Sequence, residues 1–162
     1  MAMTIKTEGI SELNLMLAKL GDSAMNVASA ALYQGAGVVA DAMQTAVGSI
    51  STEPFKGKRK YGYRLASPEE KEAVEGKTGI AKFKKDGSEV NTIVGVSRSA
   101  GYVQLGSRKV AVIEIARSIN SGTSFLHKQP VFRKAKTTSQ KAAEDAIVSK
   151  AEEMYNEIIN GQ

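Results

Sequence analysis

Residues 22–48 read DSAMNVASAALYQGAGVVADAMQTAVG, and the spacing inside this stretch decides how the rest of the chain is arranged. Ala24, Val27, Ala28, Ala31, Leu32, Gly35, Val38, Val39, Ala42, Met43, Ala46 and Val47 step by three or four throughout, the signature of one face of an α-helix. Asp22 or Ser23 is placed to cap its start and Gly48 to end it. Because the stripe is mostly Ala and Gly, a neighbouring helix or sheet can lie close against it. This long helix is the expected scaffold of the core.

Two further helices flank it in the sequence. Upstream, Leu13, Met16, Leu17 and Leu20 fall at helical spacing between Ser11 as N-cap and Gly21 after the last turn, predicting a short amphipathic helix. Downstream, a closing helix is predicted from about Thr137 to Asn160 (137–160), with Ala143, Ala146, Ile147, Ala151, Met154, Tyr155 and Ile158 on its apolar face. Its other face carries Glu144, Asp145, Glu152, Glu153 and Glu157.

Between the long helices the pattern changes twice. Residues 48–77 break every periodicity with Gly48, Pro54, Gly57, Gly62, Pro68 and Gly76, and hold one short helix over Pro68 to Val74. A loop of about 30 residues is long for a compact domain and is commonly functional. Ile80 to Lys84 and Val90 to Val96 then read as strands around the turn Lys85-Asp86-Gly87-Ser88. Tyr102 to Leu105 and Val110 to Ile115 are expected to pair with them, the latter with a competing helical reading through Ile119. The fold class is α+β: two long helices plus a short N-terminal helix packed on a small antiparallel sheet, with a long basic loop. The 162 residues form one expected domain, 1–162.

Composition closes off much chemistry. There is no Cys and one His, so disulfides, thiolate nucleophiles and multi-histidine metal sites are excluded, and a base-oriented nucleophile has only His127 to draw on. No apolar run reaches the roughly 20 residues of a membrane span, and the start, MAMTIKT, is no signal peptide. His127 has no carboxylate beside it in sequence. Glu69-Glu70, Glu144-Asp145 and Glu152-Glu153 are adjacent pairs, which diverge by about 100° on a helix instead of converging on a substrate. No phosphate-cradling glycine motif and no calcium loop is present. Catalytic residues, metal and cofactors are all expected to be none.

Charge is the remaining signal. The net charge is +5, and residues 54–109 hold 13 Lys+Arg against 6 Asp+Glu, more than the whole excess. Lys56, Lys58, Arg59, Lys60 and Arg64 lie between Pro54 and Pro68 with no acid among them, interleaved with Tyr61 and Tyr63. Cations on a glycine-punctuated segment can follow a phosphate backbone, with tyrosines stacking on bases or on a protein neighbour. The same run also suits a solvated loop or a grip on an acidic partner face.

The final third reads Ile119-Asn120-Ser121-Gly122-Thr123-Ser124, then Gln129-Pro130-Val131-Phe132-Arg133-Lys134-Ala135, then the closing helix. Together with the Ala-rich helix and a Thr78-Gly79 opening of the sheet region, this resembles the tail-component family of long-tailed double-stranded DNA bacteriophages, small tail-completion or neck proteins. The resemblance implies structural roles for Thr78, Gly79, Gly122, Thr123, Pro130, Phe132 and Ala135. It further implies a virion structural protein, assembled in the host cytoplasm, that forms a homo-oligomeric ring, a hexamer, at the head–tail junction. Tail terminator and head-closure proteins are then the expected partners, with packaged DNA as a further contact and no membrane. The alternative is a small basic nucleic-acid-binding module using Lys56 to Arg64.

Overall fold

The computed structural model describes residues 2–4, 18, 20–54, 64–86 and 89–160, and the chain is α+β. Helix α1 spans Ala24–Gly48, as its periodicity demands. A 3₁₀ turn, Gly21–Ser23, leads into it. The expected side-chain cap does not form at Ser23, which makes no cap hydrogen bond. At the other end the carbonyls left over by the helix find donors, with Ser49 Oγ donating to Ala46 O at 2.7 Å and Lys71 Nζ to Gly48 O at 2.6 Å. The short helix expected over Ser11 to Leu20 lies largely outside the described residues.

Helix α2, Pro68–Val74, occupies the predicted positions. Pro68 starts it where no amide hydrogen is needed, and Ser67 and Glu70 form a reciprocal capping box. Helix α3 spans Val112–Ser121, and the closing helix α4 spans Val131–Asn160. The sequence places the start of α4 about six residues too late. Cations at Arg133, Lys134 and Lys136 and the pair Thr137-Thr138 mask the first turns, but Val131, Phe132, Ala135 and Ser139 are buried and extend the apolar row backwards. Asn120 Oδ1 accepts from Phe132 N at 3.2 Å, so a side chain of α3 satisfies an otherwise orphaned donor of α4.

The strands are short and antiparallel. A three-stranded sheet has the order β1-β5-β2, with β1 at Ala2–Thr4, β2 at Thr78–Ile80 and β5 at Ile93–Val96. β3 (Lys84–Asp86) and β4 (Glu89–Asn91) form a two-stranded extension of the same hairpin. Each of the two predicted strands is thus broken in the middle. Ile80 pairs with Val94 but Lys84 with Asn91, so the first strand carries one extra residue, a β-bulge. Thr92 Oγ1 donates to Ala81 O at 2.8 Å and stabilises the break. Tyr102 to Leu105 does not join this sheet: as β6 (Tyr102–Leu105) it pairs with β7 (Arg108–Ala111) in a separate ribbon. Val110 to Ile115 divides at Ala111, where strand gives way to α3.

The core is made by α1 and α4. Val27, Ala31, Gly35, Val39, Met43 and Val47 on one, and Val131, Ala135, Ser139, Ala143, Ile147 and Ala151 on the other, are buried rows of strict i, i+4 spacing, the ridges that interlock in close helix packing. Val27 and Ala31 cluster with Ile147 and Ala151, while Met43 and Val47 cluster with Val131 and Phe132, so the helices run antiparallel. A Cβ at Gly35 would overlap Ile147 Cγ1 and lie 2.9 Å from Ala143 O. The sheet packs on α1 through β2 and β5.

Gly35→Ala should therefore destabilise the protein, because an overpacking cost of about 1–3 kcal/mol exceeds the gain of about 1 kcal/mol in helix propensity. Gly37→Ala, with open space around its Cβ position, should stabilise by about 0.5–1 kcal/mol. Denaturant melts of the two variants check this, and a stabilised Gly35→Ala would refute the close approach. Phe132, 2% exposed, should cost about 3–5 kcal/mol on truncation to Ala, whereas the exposed His127 should cost under about 0.5 kcal/mol; the same melts rank them.

Candidate functional site

The basic loop is built from its ends inward. Its departing strand, residues 51–54, and its returning strand, residues 64–67, meet in a parallel bridge between Thr52 and Ala66. Glu53 N donates to Ala66 O at 2.9 Å, and Glu53 Oε1 accepts from Leu65 N at 3.0 Å. A second parallel bridge joins Arg64 to Leu126, with Arg64 N donating to Phe125 O at 2.9 Å and His127 N to Arg64 O at 2.8 Å. Gln129 completes the base. Its side-chain amide accepts from Ser51 N at 2.8 Å and donates to Ser51 O at 2.9 Å, as a strand neighbour would.

Arg64 anchors the returning end. Its Nη1 and Nη2 each lie 2.6 Å from a different carboxylate oxygen of Glu70, a bidentate pair. Nη1 also donates to Leu65 O at 3.0 Å, and the guanidinium sits 5.9 Å from the centroid of the Phe125 ring. The two side chains are 19% and 14% exposed. Burial alone would raise the Glu70 pKa, but Arg64 and the Ser67 N–H, which donates to Glu70 Oε2 at 2.8 Å, outweigh it and hold the carboxyl below its ordinary range. The Glu70 hydrogen bond correspondingly raises the Arg64 pKa. One carboxylate thus caps α2 and secures the loop.

Of the sequence-predicted site residues, Lys56, Lys58, Arg59, Lys60, Tyr61 and Tyr63 lie outside the described residues. Arg64 is described, and it is engaged in the loop base. The structural set is spread along the fold. Thr78 is buried at the start of β2, and its Oγ1 has no hydrogen-bond partner among the described residues. Gly79 beside it is exposed with open space around it. Gly122 has φ +75° and a Cβ there would crowd Lys128 Cβ at 3.0 Å, so the turn after α3 requires glycine. Thr123 Oγ1 accepts from Leu126 N at 3.1 Å. Pro130 immediately precedes α4, which opens with Val131. Phe132 and Ala135 are buried in the core.

Sequence reasoning missed Glu70, Gln129 and Phe125 as parts of the site. The Ser67-Pro68-Glu69-Glu70 capping pattern was a visible signal for Glu70. Nothing local marks Gln129 or Phe125. Among the described residues one open cleft, of about 520 Å³, is bordered by Asn26, Ser29, Tyr33, Phe83 and Lys150, and another, of about 340 Å³, lies over Gly79 and Gly95. Among the described residues neither cleft has a carboxylate or an imidazole on its wall. No group of three His, Asp or Glu among the described residues is placed to hold a metal, and no helix among them is long and apolar enough to cross a membrane. No family model, no characterised protein and no solved structure matches the chain.

A depressed folded-state pKa stabilises above the unfolded value and is lost as pH falls through the folded one. The Arg64–Glu70 contribution should therefore be complete at neutral pH and disappear below the ordinary carboxyl value of 4.5. Glu70→Gln should cost about 1–3 kcal/mol at neutral pH, with the difference from wild type shrinking as the pH falls below 4.5. Urea unfolding across that range checks it, and a constant difference would show the pair to be unimportant.

Proposed function

We propose that the chain is a virion structural protein of a tailed bacteriophage, a tail-completion or neck component that closes into a ring at the head–tail junction and performs no catalysis. The observation that carries the reading is the loop base. Residues 55–63 hold four cations, two tyrosines and no acid; the flanking segments are joined to each other and, on the returning side, to residues 125–127 by backbone hydrogen bonds, and on the departing side to the Gln129 side-chain amide. Fastened ends let the fold close without relying on the segment's own side chains, and a run of this composition suits an acidic neighbour or a phosphate backbone. The resemblance of Ile119 to Ala135 and of the closing helix to tail components supplies the setting. In that setting the ring is a hexamer, its neighbours are the tail terminator and head-closure proteins, and the packaged DNA passes close by.

The second reading, a small nucleic-acid-binding module, rests on the same four cations. The two differ in what neutralising the loop does. Replacing Lys58, Arg59 and Lys60 by Gln should change the stability of the isolated protein by less than about 0.5 kcal/mol, while lowering the yield of joined, infectious particles. Unchanged particle yield would refute the assembly role. Duplex-DNA binding across a salt series separates the partners: a slope of about 0.9 per phosphate contact, reduced by the substitutions, marks contact with DNA, and no binding at low salt leaves the acidic protein face. Mass measurement of virions should give a copy number matching the tail's six-fold symmetry, and a single copy per virion would sink the ring.

A further inference from the structure

Helix α4 carries its charges in the order that an isolated helix disfavours. From Val131 to Ala143 its charged residues are Arg133, Lys134, Lys136 and Lys141, and from Glu144 to Asn160 they are five acids and Lys150. No acid stands in the first turn and no base in the last, against the sense of the helix dipole.

On the side turned away from α1, the residues Lys134, Thr138, Lys141, Asp145, Val148 and Glu152 succeed one another at spacings of four and three, one continuous stripe along the helix. All are exposed except Val148, which is half-buried. No side chain of the four charged members has an ion-pair or hydrogen-bond partner among the described residues, whereas on the helix flank Lys150 is paired with Glu153 at 2.7 Å. The stripe has a further property: it is its own complement when reversed. About a two-fold axis at the level of Ala143, Lys141 stands two residues before the axis and Asp145 two after, Lys134 nine before and Glu152 nine after, Thr138 five before and Val148 five after. An antiparallel copy therefore sets Lys141 against Asp145 and Lys134 against Glu152, each twice.

From this complementarity we infer that the outer face of α4 is a self-association surface whose occupant is the same face of a second copy, antiparallel across a two-fold axis. The arrangement also lays the two helix dipoles head to tail, so the charge order that costs one helix stabilises the pair. An isologous two-fold contact is geometrically distinct from the head-to-tail contact that closes a ring. The inference is thus independent of the proposed function.

Charge exchange tests it on the full chain. Sedimentation equilibrium should find a dimer at low salt whose dissociation constant rises at least about tenfold at molar salt, where the screening length falls to about 3 Å. The double variant Lys134→Glu/Lys141→Glu, with an all-acidic stripe, and the double variant Asp145→Lys/Glu152→Lys, with an all-basic one, should each be monomeric under conditions where wild type dimerises. Mixed in equal amounts, they should form a heterodimer. Circular dichroism of each variant confirms that α4 is intact, and the mixture reports on the surface even if one variant is weakened. A monomeric wild type at low salt and high concentration would overturn the inference. So would an oligomer, ring or otherwise, whose mass neither variant alters, or two monomeric variants that do not associate with each other.

Discussion

The contact between Gly35 and α4 is the constraint on which the remaining geometry depends. With no side chain at that position, the α1 backbone comes against Ile147 and the Ala143 carbonyl, and the two i, i+4 rows can interlock in one register only. A slip by one turn would move α4 by about 5 Å and drive Ile147 against a position bearing a Cβ. The register then fixes what happens at the far end of the pair. Val47 and Ile50 belong to the same buried cluster as Val131 and Phe132, and just beyond them Ser51 stands opposite Gln129 with reciprocal amide bonds at the loop base. Close packing of small residues in the core is thus what positions a polar site some way from it.

That site is held by polar contacts, and these differ in kind. The parallel bridges at Thr52–Ala66 and Arg64–Leu126 satisfy backbone groups that would otherwise be stranded near the core. The Arg64–Glu70 pair is shielded enough for its charges to strengthen the hydrogen bonds between them. Lys71, next to Glu70, donates to the last carbonyl of α1. The seven-residue helix α2 therefore ties the end of the scaffold helix to the return of the loop, a role that its own few buried residues, Ala73 and Val74, could not explain.

How much of this was legible in the sequence follows from the range of each interaction. Helix α1 was readable from end to end because its buried face repeats for 25 residues, and α2 because Ser67, Pro68 and Glu70 are start signals within one turn. The first turns of α4 were obscured because their buried residues are separated by cations, and because the group that satisfies Phe132 N is the side chain of Asn120, on another helix. The β6–β7 ribbon was concealed by its own pattern: a short apolar run next to a helix start gives no indication of which strand it will choose. At the site, the residue types in the loop were plain, and the means of holding it were not. Ser51 and Gln129 lie 78 positions apart, and no periodicity links them.

The charges of the surface follow a different logic from the core. Ala, Val and a single glycine contact suffice to align α1 with α4, so stability places few demands on the ionic residues, and exposed pairs would repay little in any case. Yet these ionic residues are largely sorted by sign: cations in residues 55–63 and along the first half of α4, and five acids with Lys150 along its second half. Sorting of this kind is unfavourable within one chain, since it sets like charges side by side and opposes the dipole of α4. It becomes favourable only when a neighbour brings the opposite sign to each patch and excludes water from part of the contact. A fold whose interior is settled by small residues leaves its charges free of that task, and in this chain residues 55–63 and the two halves of α4 differ in sign without any demand from the core.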